Sequence, residues 1–177
     1  MIPSLALEDG LSLEEWQIRL ILPHRPPVLQ LDRVDRCAPD LSAVEATKAV
    51  GGSDPMLRRG PAGASLAPGA LIEALAQCCG LLVRLRWLRE TGVDVAAFAD
   101  GDTDRVRSGA IPRSVLAESH ARFVGEAQPG QVLSLTARLV LARNGMYRFN
   151  AAVRDAAVRG TADIMSADIM LKFPHQG

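Results

Sequence analysis

Between residues 69 and 83 only Glu73 and Gln77 carry a strong polar group; every other side chain is apolar or small. Pro68 precedes this run and suits the first turn of a helix, where its missing amide costs nothing. Arg84, Arg86 and Arg89 follow, as befits a helix C-terminus. The pattern predicts a helix over about 68–90, apolar all round and therefore enclosed by the rest of the fold. Upstream, Ser12 and Glu15 have capping-box spacing and predict a helix over about 12–22 that stops at Pro23. Residues 28–34 alternate apolar and polar as a strand does, and a second strand is expected at 43–50. The Gly- and Pro-rich stretch 51–68 reads as a loop carrying Arg58 and Arg59.

Residues 91–113 are irregular and read as an insertion, with a short helix near 95–98. Strands are predicted across 115–173, at 119–123, 132–143, 146–154 and 158–173, the last with a bulge near Ala162. Asn144-Gly145 between two of them signals a type I′ hairpin. One long apolar helix followed by antiparallel strands predicts an α+β fold: a single domain whose sheet wraps a central helix. The expected core comprises Leu71, Leu75, Leu82, Leu85, Phe123, Leu135, Leu139, Phe149 and Ile169.

At 177 residues with 48% apolar content, the chain suits one globular domain. Its formal net charge is zero, which argues against a general nucleic-acid binder. Lys48 and Lys172 are the only lysines, so 18 of the 20 basic residues are Arg, a bias toward fixed anion contacts. The first twenty residues lack a basic n-region, and the apolar run is interrupted by Glu73 and Gln77, so neither a signal peptide nor a membrane span is expected. Three cysteines, two of them adjacent, do not form a disulfide framework; the cytoplasm is the expected compartment. No metal site is expected.

Glu73 and Gln77 are four residues apart and share one helix face. A carboxylate in such a helix is costly to bury unless something pairs with it or it titrates, so Glu73 is a candidate acid or base.

Three stretches carry a resemblance. They are Leu22-Pro23-His24-Arg25 with Leu31-Asp32-Arg33-Val34, Pro68-Gly69 with Glu73-Ala74-Leu75-Ala76-Gln77, and Ala121-Arg122-Phe123 with Pro129-Gly130. Together they resemble the hotdog fold, and within it the FabZ-type 3-hydroxyacyl-ACP dehydratases. The resemblance implies a 3-hydroxyacyl thioester on the phosphopantetheine of an acyl-carrier protein, with no other cofactor, in fatty-acid or polyketide-type synthesis. Glu73 then matches the acid that protonates the departing 3-hydroxyl. Gly69 approximately matches the backbone amide that polarises the thioester carbonyl, while Gln77 reads as an orienting partner for Glu73 or simply a satisfied polar group. The family's α-proton base, a histidine just before the helix, has no counterpart: Arg58-Arg59-Gly60 occupies that stretch. Arg does not serve as a base at ordinary pH.

Arg58 and Arg59 are candidate contacts for the phosphate of the pantetheine arm or for acidic residues of the carrier. His120 is a candidate replacement base, whereas His24 reads as part of a structural turn. The family's dimers, each site shared between protomers, imply a homodimer or a heterodimer with a second hotdog subunit that supplies the histidine. A non-catalytic acyl-thioester binder and a hotdog thioesterase are the alternative expectations.

Overall fold

The computed structural model describes residues 10–61, 63–106, 111–158 and 163–174. Its centre is helix α2 (Pro68–Glu90), buried along most of its length. The sheet that wraps it contains β1 (Leu11–Glu14), β2 (Arg33–Cys37), β3 (Ala43–Ala49), β6 (Val115–Phe123), β7 (Val132–Arg143), β8 (Met146–Asp155) and β9 (Met165–Lys172). Their order is β1-β2-β3-β7-β8-β9-β6, antiparallel throughout. This is the sheet around a helix that the sequence predicts. Leu71, Leu75, Leu82 and Leu85 of α2 meet Leu135, Phe149 and Ile169 of the sheet in one core. Among the described residues, α2 is the one helix long and apolar enough to cross a membrane, and it is the core helix of this fold.

Local chemistry explains the individual elements. Asn144 and Gly145 both have positive φ, 51° and 72°, as the predicted β7–β8 hairpin turn requires. The N-terminal helix α1 (Glu15–Ile21) starts later than expected, because Leu13 and Glu14 pair with Val34 and Arg33. Its entry is closed by Gln17, whose Oε1 accepts from the Glu14 amide at 2.8 Å. Residues 28–32 are not strand either. The amides of Val28 and Leu29 both donate to the Arg25 carbonyl, so this stretch is a turn around the cis Pro26–Pro27 bond.

The expected loop at 51–68 contains a hairpin, β4 (Leu57–Gly60) with β5 (Gly63–Leu66), anchored by a buried Lys48–Asp54 pair at 3.0 Å. Residues 91–113 contain α3 (Val95–Ala99). Phe98 of α3 packs into the core, and Gln17 Nε2 donates to the Phe98 and Ala99 carbonyls, both at 2.9 Å. Phe123, expected in the core, is 41% exposed because β6 is an edge strand; Leu139 packs at the core margin. The predicted bulge near Ala162 lies outside the described residues. Cys37, Cys78 and Cys79 are free and buried, and burial pushes the Cys37 and Cys78 thiols up to about 12.

Candidate active site

Helix α2 is buried on most sides but not on all. Gly69, Ile72, Glu73 and Ala76, at helical spacing along its first turns, form a half-open stripe. Glu73 is therefore not enclosed as the apolar sequence suggested. Its side chain is 36% exposed and its carboxylate is reachable from outside the chain.

Behind that stripe lies a buried network. Gln77, 1% exposed, accepts the Gln30 amide on Oε1 at 2.8 Å. That bond fixes the orientation of the side-chain amide, because a backbone N–H needs an acceptor. Nε2 is then the donor, to the Val28 carbonyl at 2.9 Å and to Glu73 Oε1 at 2.8 Å. Gln77 thus holds the 25–30 turn against the helix and orients the acidic side chain in the same act.

The turn brings in His24, which from the sequence reads chiefly as a turn residue. His24 Nε2 stands 3.5 Å from Glu73 Oε1. Arg25 secures the turn by donating from Nη1 to the Leu22 and His24 carbonyls at 2.9 and 2.7 Å. Burial lowers the His24 pKa below the ordinary histidine value. Glu73 opposes this, while Arg84 and Arg25 reinforce it. Arg84 is itself buried on α2 and donates to the Ile21 carbonyl at the end of α1, at 3.0 Å. The only signal in the sequence was the His24 motif itself; the tie from Gln77 to the 28–30 backbone spans 47 to 49 positions and has no local signature.

Gly69 is exposed at the second position of α2, where a helix amide has no intrahelical acceptor. A Cβ built there meets nothing within 4 Å, so the space beside its Cα is open.

The remaining candidates are not gathered at Glu73. Arg58 and Arg59 are neighbours on β4, so their side chains leave opposite faces of the hairpin and do not form a single clamp. Arg58 pairs with Glu126 at 2.8 Å and lines a groove of about 280 Å³ with Leu66, Pro68, Leu71 and Phe123, at the same end of α2. Arg59 reaches the Gly52 carbonyl at 3.4 Å. His120 lies opposite Asp168 on the solvent face of the sheet and contacts Glu118 at 2.6 Å. Helix α2 packs against the other face, so His120 is not brought to Glu73 as a replacement base.

Comparison with known proteins supports the lineage. The 3-hydroxyacyl-[acyl-carrier-protein] dehydratase FabZ of Neisseria meningitidis serogroup C / serotype 2a is 31% identical over 163 residues, covering 91% of this chain and 97% of that protein. The chain belongs to the FabZ dehydratase family. FabZ of Dichelobacter nodosus is 34% identical over 151 residues, covering 84% of this chain and 92% of that protein. No family model matches the sequence.

Among solved structures, the dehydratase heterocomplex ApeI:P from Xenorhabdus doucetiae superposes with a TM-score of 0.65 at 19% identity, over 90% of this chain and 91% of the other. A hypothetical thioesterase protein with coenzyme A from Streptococcus pneumoniae TIGR4 superposes with a TM-score of 0.54 at 14% identity, over 81% and 85%. At those identities the likeness concerns the hotdog fold.

Proposed function

We propose that this FabZ-family chain is the acid-bearing subunit of a 3-hydroxyacyl-thioester dehydratase, its site completed by the base of a second hotdog chain. The carrying observation is the Glu73 carboxylate, oriented by Gln77 yet presented on an open helical stripe. The chain's own stretch before the helix holds Arg58, Arg59 and Gly60 where a base would be needed.

In this reading the partner's base takes the proton from the carbon next to the thioester. The electron pair of that C–H bond forms the new C=C bond. The C–O bond at the next carbon breaks, and Glu73 protonates the leaving hydroxyl, which departs as water. The Gly69 amide, which has no intrahelical acceptor at the second position of α2, polarises the thioester carbonyl as charge builds there. Glu73 then regains its proton for the next turnover. The substrate arrives on the phosphopantetheine of an acyl-carrier protein, in fatty-acid or polyketide-type synthesis in the cytoplasm. Arg58 lines the groove beside α2 and in this reading meets the arm or the carrier. A structure of the same fold described as a dehydratase heterocomplex supports the two-chain form.

The test purifies the tagged chain from its native cell with any hotdog subunit that accompanies it, and supplies 3-hydroxybutyryl-ACP. Formation of the enoyl thioester is expected, and Glu73→Gln should lower it by roughly 100- to 10,000-fold. No turnover in either form would instead mark a binding protein, and free acid as product would mark hydrolysis. Either result overturns the proposal.

A further inference from the structure

His24 has two ring nitrogens in different surroundings. Nε2 faces Glu73 Oε1 at 3.5 Å. Nδ1 is buried and has no protein hydrogen-bond partner among the described residues. A buried N–H without an acceptor costs more than a bare ring nitrogen in the same place, so the ring proton belongs on Nε2. In that tautomer Nε2 is a donor, with no lone pair to receive a proton. The charged groups around the ring are Glu73 and Arg84 from α2 and Arg25 from its own turn. Burial, reinforced by the two arginines, lowers its pKa against the pull of Glu73.

Gln77 Nε2 donates to the same Glu73 oxygen, at 2.8 Å. The Gln77 bond at 2.8 Å and the His24 ring edge at 3.5 Å both lie at Oε1, which leaves Oε2 to meet a substrate. We propose that His24 is a positioning residue for Glu73, donating from Nε2 to Oε1 so that Oε2 delivers the proton, and that it is not the missing base. This rests on the dehydratase reading and sharpens it: the histidine beside the acid is committed to holding it, so the base enters from another chain.

Two measurements test this, and the first needs no turnover. Nitrogen-15 NMR of the full-length chain, labelled at histidine, should show His24 as a neutral ring protonated on Nε2 at pH 7. A ring protonated on Nδ1, or an imidazolium at that pH, overturns the proposal. The second is kinetic, on 3-hydroxybutyryl-ACP in the purified assembly. His24→Ala should lower kcat roughly 10- to 100-fold with KM little changed, the loss expected of a misplaced reacting group. His24→Gln keeps a neutral N–H donor and should restore most of the rate without moving the acid limb of the pH profile.

If His24→Gln is as slow as His24→Ala, or if the acid limb disappears with the histidine, the ring is a base and the proposal fails. It also fails if both variants match the wild type. Thermal melting checks that each variant folds; if His24→Ala does not, the Gln variant and the NMR spectrum decide. A wild-type assembly that produces no enoyl thioester, or a fully active Glu73→Gln, sinks the dehydratase reading instead, and the tautomer still reports on His24.

Discussion

Gln77 shows how one side chain can couple stability to chemistry. Its three hydrogen bonds satisfy a buried amide at Gln30, a carbonyl at Val28 and a carboxylate oxygen at Glu73. Leucine has nearly the same volume and none of this capacity. Gln77→Leu would leave the buried Gln30 amide without its acceptor, at a cost of about 1–3 kcal/mol, and would leave the Val28 carbonyl with only the 3.3 Å bond from Gln30 Nε2. Urea unfolding should therefore show a loss of roughly 1–3 kcal/mol. A loss below about 1 kcal/mol would mean that water or a backbone shift satisfies those groups, and that the turn is not held by Gln77. Ordinary helix arithmetic would have missed this. On the helical wheel Gln77 is merely the neighbour of Glu73, whereas in space it joins the helix to the turn that carries His24.

At the scale of elements, the insertion at 91–113 contributes to the core. Phe98 of α3 is fully buried, and Gln17 on α1 ties the end of α3 down through two carbonyls. Phe98→Ala should cost about 3–5 kcal/mol, as for other buried aromatic truncations, read as a lower denaturation midpoint of the whole protein. If only hydrogen exchange over 95–106 accelerated while the midpoint held, the segment would be a separately hinged lid. The sequence made some of these elements readable and hid others. The span of α2 was legible because its apolar run has sharp ends at Pro68 and the arginines. The β7–β8 hairpin was legible because Asn144-Gly145 demands positive φ. Where pairing between distant segments decided the outcome, the reading went astray: Leu13 and Glu14 were claimed by β1 through Val34 and Arg33 of β2, and 57–66 folded into a hairpin despite its glycines. Glu73 stood out in the sequence as a carboxyl among apolar residues, but the approach of His24 depended on a turn closed by Gln77.

For the molecule as a whole, part of the exposed apolar surface lies along one edge of the sheet. The sheet ends on one side at β1, four residues long, and on the other at β6, nine residues long. A long edge strand with unpaired backbone groups invites another chain. Here it also exposes Val115, Leu116 and Phe123, with Val124 just beyond, and Phe123 lines the groove beside Pro68 and Leu71 at the start of α2. The open Gly69–Glu73 stripe lies at that same end of the helix. Under the proposed reading, a second hotdog subunit covers β6 and brings its base toward Glu73. Phe123→Glu should then break the assembly without unfolding the subunit, because the residue is outside the core of the single chain. Light scattering should show a monomer with a native melting curve, and dehydration should fall as far as it does in Glu73→Gln although Glu73 is untouched. If Phe123→Glu stays assembled and active, β6 is not the edge through which the site is completed. If it becomes monomeric yet keeps its activity, one chain supplies both acid and base, and the two-chain reading fails.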